Sequence, residues 1–293
     1  MTAISGVRKL APAKINLSLA VTGQRADGYH QLDSLVAFTT LGDVVEVEPA
    51  DVWSLTINGP FAESLPVSDD NLVLRAGHAM QDAFASYSAT VSPADIRLTK
   101  NLPVASGIGG GSADAAAVML ALQDLWGQSL PSDDMHAIAL SLGADIPACL
   151  AGVPSRMQGI GERLTPVAML GLPVVLANCG RAIATPRIFA ALPSRNNPQM
   201  DMPMPTERDP WMEWLRSQRN DLQQAAVALV PEIETTLDTL AAAGAQLARM
   251  SGSGATCFGV FESIGSADQA AERLKTKHPD WWIVTTELKG TPE

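Results

Sequence analysis

The chain has 293 residues, of which 46% are hydrophobic and 17% charged, a composition typical of a soluble globular protein with room for two domains. Thirty-one acidic side chains against twenty basic ones give a formal net charge of -11, which disfavours nucleic acid and anionic membrane as partners. The three cysteines show no metal-ligand spacing, and no apolar run is long enough to span a bilayer, so we expect a cytoplasmic protein without zinc or disulfides.

The first predicted strand covers residues 14–21, KINLSLAV, where apolar and polar side chains alternate. Ile15, Leu17, Leu19 and Val21 share the face that predicts the core. Lys14, Asn16 and Ser18 share the other face. That polar row is either a solvated outer surface or part of a functional site, and the alternation alone leaves both interpretations open.

Strands and helices follow in a mixed order. Asp70 or Asn71 can cap a helix that runs toward Tyr87, and a second helix is expected between Ser132 and Gly143. Alternating apolar runs predict further strands at 32–38, 44–47, 53–57 and 95–100.

Residues 103–113, PVASGIGGGSA, are the densest motif of the chain, with four glycines between positions 107 and 111 directly before a run of strong helix formers. A glycine loop that opens a helix offers backbone N–H groups and the positive helix end to phosphate oxygens. The alternative interpretation is a tight connection between a strand and a helix that binds no ligand. Four glycines in five positions favour the phosphate site over this alternative. The spacing matches neither a Walker A loop nor a Rossmann fingerprint, and the motifs of a protein kinase are absent from the sequence.

The second half predicts a strand at 173–179, a proline-rich segment at 191–210 that we interpret as a mobile surface loop, and helices to about Ala243. Apolar strands flank the turn SGSG at 251–254. A helix with Ala267, Ala270, Ala271 and Leu274 at helical spacing and a last strand at 281–288 complete a split βαβ arrangement.

Three segments, PAKINLSL at 12–19, LPVASGIGGGSADAAA at 102–117 and SGSGATCF at 251–258, resemble in order and spacing the motifs of the GHMP small-molecule kinases. The resemblance implies an α+β fold with two domains, a ribosomal-protein-S5-like domain at 1–155 and a ferredoxin-like domain at 156–293. Within that family, GQRADGYHQL at 23–32 and LGADIPACLAG at 142–152 resemble the branch that serves the non-mevalonate isoprenoid pathway.

The resemblance implies a reaction in which ATP, with Mg²⁺, phosphorylates the C2 hydroxyl of a methylerythritol linked to cytidine diphosphate. By the matching motifs, Asp145 is the base or hydroxyl-orienting group and Lys14 is its catalytic partner, which also faces the negative phosphate. The small-molecule substrate carries the cytidine diphosphate group, and the protein is expected to be a monomer or a homodimer.

The same resemblance assigns the binding residues. ATP is expected at Pro103, Val104, Ala105, Ser106, Gly107, Ile108, Gly109, Gly110, Gly111, Ser112 and Ala113, with Asn71 and Lys100 lining the nucleotide pocket. The second substrate is expected at Asn16, Tyr29, His30, Thr185 and Phe189, where aromatic side chains suit a flat base. The family loop commonly has a second serine where this chain has Ala113, and the resemblance leaves the ligands of Mg²⁺ unassigned, apart from a possible contact with the Ser112 hydroxyl.

Two other functions remain open from the sequence. One is a GHMP kinase with another acceptor, such as homoserine, mevalonate or a sugar. The other is a nucleotide-binding module of the same fold without catalytic activity. An acceptor lacking cytidine discriminates the first from our interpretation.

Overall fold

The computed structural model describes residues 6–68, 70–201 and 207–291. The strands of this described part are β1 (Val7–Gln24), β2 (His30–Pro49), β3 (Ser54–Asn58), β4 (Ala94–Thr99), β5 (Ser155–Gly159), β6 (Arg163–Pro166), β7 (Leu172–Asn178), β8 (Leu247–Met250), β9 (Thr256–Val260) and β10 (Trp282–Leu288). Its α-helices are α1 (Leu72–Ser86), α2 (Gly110–Trp126), α3 (Ser132–Leu142), α4 (Ile146–Ala151), α5 (Thr185–Ala190), α6 (Arg208–Ser217), α7 (Gln223–Leu229), α8 (Glu232–Ala242) and α9 (Ile264–Lys277). None of these described helices is long and apolar enough to cross a membrane.

The chain forms two compact units that alternate along the sequence. The first comprises residues 6–13, 41–104 and 109–151, and the second comprises 14–40, 105–108 and the residues from 152 onwards. The predicted division at residue 155 falls near the last of these exchanges. The earlier exchanges have no sequence signal, because β1 and β2 are continuous strands that each contribute to both units. The two-domain boundary therefore remains a prediction.

In the first unit, three strands pair with one another. β3 pairs in parallel with β4, and β4 pairs antiparallel with the second half of β2. Asn71 caps α1 as predicted, since its side-chain oxygen accepts from the Val73 N–H at 3.0 Å. The predicted strands at 32–38 and 44–47 are two parts of the single strand β2.

The second unit contains the ferredoxin-like arrangement implied by the resemblance. Its antiparallel strands lie in the order β10-β7-β9-β8, which is the order 4-1-3-2 of a split βαβ fold. The helical periodicity is confirmed in α9, where all four of the predicted apolar residues are buried. Ser263 caps the start of this helix, and its hydroxyl accepts from the Ser266 N–H.

Both faces of β1 are buried over the predicted strand. The apolar row is in the core as expected, with Ile15, Leu17 and Val21 fully buried. Lys14 and Asn16, on the polar row, are only 3% and 2% exposed. The alternative of a solvated outer surface is therefore wrong, because this row is buried and its polar atoms form hydrogen bonds within the second unit.

The proline-rich segment is a surface loop as predicted over residues 191–201, which form no helix or strand and are mostly exposed, but two of its residues are anchored. The Asn197 N–H donates to the Val21 carbonyl at 3.0 Å, and the buried Met200 donates its N–H to Asp33 at 2.9 Å. Arg156 binds both oxygens of Asp33. Residues 192–201 are thus anchored on the second unit. Helix α6 already begins at Arg208, since a proline is tolerated in a first turn, whereas residues 202–206 lie outside the described part.

Candidate functional site

The middle of the glycine loop is held by backbone and hydroxyl contacts within the second unit. The Lys14 N–H donates to the Ile108 carbonyl at 2.9 Å, and the Thr256 N–H donates to the Ser106 carbonyl at 3.1 Å. The Ser251 hydroxyl donates to the Gly107 carbonyl at 3.0 Å. Strand β1 and the SGSG turn therefore fix residues 106–108 from separate parts of the chain.

Ser251 links all three motifs. Its side chain is fully buried, and its oxygen accepts from the Asn16 N–H at 3.1 Å while its proton goes to Gly107. A Cβ on Gly107 would lie 2.5 Å from the Ser251 carbonyl oxygen, and one on Gly252 would lie 2.7 Å from the Gly107 oxygen. These glycines are required because two backbones touch here.

The end of the glycine loop belongs to the first unit and opens helix α2. Gly109 precedes the helix with φ of 65°, and the helix begins at Gly110. A Cβ on Gly111 would meet no atom of the described chain within 4 Å, apart from its own neighbours. The start of α2 therefore combines amides that lack helical partners, a positive helix end and open space, which are the requirements of a phosphate site.

Ser112 and Ala113 lie in the first turn of α2 but differ in exposure. Ser112 is partly exposed, so its hydroxyl is placed at the same helix end as Gly111. Ala113 is 1% exposed, and its N–H already donates to the Gly109 carbonyl at 2.8 Å. A serine at position 113 would thus carry its hydroxyl on a buried Cβ.

A buried cluster of three charged residues lies under Gly110. The Lys100 ammonium binds Asp43 and Asp114, and a Cβ on Gly110 would be 3.1 Å from the Lys100 nitrogen. Asp43 also accepts from the N–H groups of Asn101 and Leu102, just before the glycine loop. The cluster thus ties the segment that enters the loop to the helix that leaves it.

The charges of this cluster are unequal. Burial raises the pKa of Asp114 to about 8, against the attraction of the Lys100 ammonium, and the charge of Asp43 adds to the rise. The pKa of Lys100 is raised although burial alone would lower it, because its interactions with Asp114 and Asp43 together outweigh burial. Asp114 accepts from Lys100 with one oxygen, and its other oxygen is buried without a partner in the described chain.

The polar row of β1 forms a directed chain of hydrogen bonds in the second unit. The Lys14 ammonium donates to Oδ1 of Asn16 at 3.3 Å, and Nδ2 of Asn16 donates to the Ser34 hydroxyl at 2.7 Å. The Ser34 hydroxyl donates in turn to the carbonyl of Ser18 at 2.6 Å. The two predicted residues Lys14 and Asn16 are therefore in contact, and Ser34 extends their chain.

Three other predicted residues lie at helix starts. Asp145 precedes α4, where its carbonyl accepts from the Cys149 N–H at 3.2 Å. Asn71 uses both ends of its amide at the start of α1, as its nitrogen donates to the Pro66 carbonyl. Thr185 is exposed at the start of α5, and its hydroxyl is 2.8 Å from that of Ser253 in the SGSG turn.

The aromatic residues predicted for the second substrate occupy different environments. His30 stacks on Phe189, with ring centroids 4.4 Å apart and an interplanar angle of 23°. Nε2 of His30 is buried and has no partner among the described residues. Desolvation, with the charge of Arg195, lowers the pKa of His30 and favours its neutral form. Tyr29 is 59% exposed. A base cannot lie between His30 and Phe189, because these rings already touch.

Sequence reasoning missed roles for Ser34, Asp43 and Asp114, and it quoted Ser251 within a motif without assigning it a contact. A signal existed for Ser251, since SGSG is part of a motif that the resemblance had identified. In the cluster around Lys100, Asp114 also lies within a quoted motif, that at 102–117, whereas no signal pointed to Asp43, which is 57 positions before Lys100. In the described ranges, no group of three or more His, Cys, Asp or Glu side chains is arranged to hold a metal ion.

Comparison with known proteins agrees with this geometry. Residues 71–153 match the model of the GHMP kinases N terminal domain, and residues 208–280 match that of the GHMP kinases C terminal. The chain is 51% identical to a 4-diphosphocytidyl-2-C-methyl-D-erythritol kinase of Roseobacter denitrificans, over 98% of this chain and 95% of the relative. It is 52% identical to the kinase of that name from Cereibacter sphaeroides, over 96% and 98%.

A solved structure is also similar over nearly the full length. The crystal structure of a 4-(cytidine 5'-diphospho)-2C-methyl-D-erythritol kinase superposes with a TM-score of 0.78 at 33% identity. The match covers 97% of this chain and 100% of that one.

The raised pKa of Asp114 predicts a specific pH dependence of stability. The folded state holds a proton that the unfolded state releases near pH 4, so this residue's stabilising contribution is lost as the pH rises toward about 8. The variant Asp114→Asn keeps the neutral form at every pH. We expect its free energy of unfolding, relative to wild type, to increase between pH 5 and pH 8 by up to about 1.4 kcal/mol per pH unit.

Urea denaturation across this pH range measures the difference. Asp124→Asn is the matched control, because Asp124 lies on the same helix but is exposed in a salt bridge with Lys9. A constant offset between Asp114→Asn and wild type at all pH values would show that Asp114 is ionised in the folded protein.

Proposed function

The chain belongs to the GHMP kinase family, and we propose that it transfers the γ-phosphate of ATP to the 2-hydroxyl of 4-diphosphocytidyl-2-C-methyl-D-erythritol. The observation that carries this proposal is the identity of about half of all residues, over nearly the whole chain, with relatives named for that activity. The geometry of the glycine loop and of the His30–Phe189 pair supports it, since the reaction needs a phosphate site and a site for a base.

We propose that the ATP phosphates lie at the start of α2. Gly111 leaves open space at the start of the helix, where the first amides lack helical partners and can donate to phosphate oxygens. Mg²⁺, when bound with ATP, would neutralise charge on the phosphate oxygens, and such ions keep most of their ligands from phosphates and water. Among the chain's own groups, the Ser112 hydroxyl is positioned at this helix end to meet either the ion or a phosphate oxygen.

Asp145 and Lys14 are proposed as the catalytic residues. Asp145 would accept the proton of the 2-hydroxyl as that oxygen attacks the γ-phosphorus, and the bond to the departing ADP oxygen breaks. Lys14 would face the transferred phosphoryl group, where a cation stabilises the developing negative charge. Its ammonium already has a defined direction in the second unit, because Asn16 accepts from it.

The cytosine is proposed to contact Tyr29 and Phe189 by stacking and His30 by hydrogen bonding. His30 packs on Phe189, which orients its ring, and its buried Nε2 has an unfilled hydrogen-bonding site in the described chain. A neutral imidazole has one donor and one acceptor, and cytosine offers both kinds of group along its pairing edge. Thr185 and Asn16 would contact other polar parts of this substrate.

A coupled assay of ADP release with a panel of acceptors tests the proposed function. We expect turnover with the cytidine-linked substrate and a kcat/KM at least about 10⁴-fold lower with methylerythritol 4-phosphate, homoserine or mevalonate, because unpaired polar groups reject an acceptor that lacks the base. Equal turnover with an acceptor lacking cytidine would replace this function by that of another GHMP kinase. A folded protein that binds ATP but releases no ADP with any acceptor would instead indicate a non-catalytic nucleotide-binding module.

The variant Asp145→Asn separates chemistry from binding in the same assay. We expect kcat to fall by about 10²–10⁴ while the protein still folds, the range for loss of a general base. Unchanged turnover in this variant would remove the role of Asp145 without affecting the identity of the substrate.

The position of the phosphates predicts that Gly111→Val weakens ATP binding. The valine side chain would enter space that is open in the protein but needed by the ligand, so we expect the KM for ATP to rise by at least about 10-fold while stability changes little. Gly265→Val is the matched control. Gly265 is also the second residue of a helix, and its Cβ would have only the Ser263 hydroxyl, at 4.0 Å, as a neighbour. Equal ATP titrations for the two variants would place the phosphates elsewhere.

A further inference from the structure

We infer that Ser34 is a positioning residue for the catalytic lysine, through the side chain of Asn16. This inference rests on the proposed function, in which Lys14 faces the transferred phosphate. Neither the family motifs nor the sequence pattern assigns a role to Ser34. Its side chain is fully buried on β2, beside the polar row of β1.

The direction of the hydrogen bonds follows from a single backbone carbonyl. The Ser18 carbonyl cannot donate, so the Ser34 hydroxyl, 2.6 Å away, must donate its one proton there. The Ser34 oxygen is then left to accept, which requires the NH₂ group of Asn16 at its 2.7 Å contact. The Asn16 amide has therefore only one favourable orientation.

That orientation decides what Lys14 meets. With Nδ2 turned to Ser34, the Asn16 amide presents Oδ1 to the Lys14 ammonium at 3.3 Å. If the amide were rotated by half a turn, its NH₂ group would face the ammonium, and two donors would oppose each other in a buried place. The hydrogen bond from the Asn16 backbone N–H to Ser251 does not fix the orientation of the side-chain amide.

The setting makes the orientation costly to lose. Lys14, Asn16 and Ser34 are 3%, 2% and 0% exposed, so water does not readily replace a missing partner. Ser18 adds to the restraint on Ser34, because its hydroxyl accepts from the N–H of the next residue, Leu35, at 3.3 Å. Ser34 thus acts on the reaction only through Asn16, by keeping an acceptor in front of the lysine.

The test compares Ser34→Ala, which removes the hydroxyl, with Ser34→Thr, which keeps it. For Ser34→Ala we expect kcat to fall by about 10- to 100-fold, because small displacements of a catalytic group cost this much, with KM values for ATP and acceptor within about 2-fold of wild type. We expect Ser34→Thr to recover kcat to within about 3-fold. Ser155→Ala is the matched control, since Ser155 is a buried serine of the same unit. Its hydroxyl donates to the Val153 carbonyl and takes no part in the hydrogen bonds of Lys14, Asn16 and Ser34. If Ser34→Ala does not fold, Ser34→Cys takes its place, as a thiol is a weak acceptor.

A spectroscopic measurement tests the amide without relying on activity. In protein labelled with ¹⁵N-asparagine, the side-chain NH₂ signals of Asn16 are identified by their loss in Asn16→Asp. We expect these signals to shift or broaden in Ser34→Ala and to stay in place in Ser155→Ala. Unchanged Asn16 signals, or equal losses of kcat in Ser34→Ala and Ser155→Ala, would overturn the inference. If wild type itself phosphorylates no acceptor, the proposed function fails, while the Asn16 signals still show whether Ser34 orients the amide.

Discussion

The Ser251 hydroxyl is the contact on which the arrangement of the candidate site depends most. It accepts from the backbone of β1 at Asn16 and donates to the glycine loop at Gly107, and it is fully buried. Since one hydroxyl serves both neighbours, its loss would leave a hydrogen-bonding group without its partner on β1 and on the loop at once. Lys14 lies on the same strand as Asn16, and its N–H donates to the carbonyl of Ile108, the loop residue that follows Gly107. The second unit thereby sets the lysine and the loop with the same few hydrogen bonds.

The net charge of -11 becomes understandable from the way the protein offers positive potential. Both proposed substrates are anionic, yet the chain does not meet them with a basic surface. The proposed phosphate site at α2 uses amides and a helix end. Lys100, the lysine under Gly110, is paired with Asp43 and Asp114. A protein can thus be acidic overall and still bind a small polyphosphate, because local dipoles act at short range whereas net charge governs long-range attraction.

Sequence reasoning predicted the elements well where one period dominates. The strand at 14–21, helix α1 with its cap at Asn71 and helix α9 follow from apolar spacing and cap chemistry. It could not decide that the polar row of β1 is buried, because alternation shows which residues share a face and not what covers that face. The anchored segment at 192–201 was missed for a related reason, since Asn197 and Met200 bond to residues more than 150 positions away. The resemblance to a family supplied the candidate site residues, but the contacts of Lys100 and the stack of His30 on Phe189 are three-dimensional facts without a local signal.

Amide hydrogen exchange in Ser251→Ala tests the central role of this hydroxyl most directly. Removing it leaves the Asn16 N–H and the Gly107 carbonyl unpaired, at a cost of about 1–3 kcal/mol in local stability. We expect the amides of Lys14, Asn16 and Thr256 to exchange about 5- to 150-fold faster than in wild type, since 1.4 kcal/mol corresponds to tenfold. Amides of α9, in the same unit, should keep their wild-type rates. If Lys14 and Thr256 exchange as slowly in Ser251→Ala as in wild type, the loop is held by other contacts and the hydroxyl is not its main restraint.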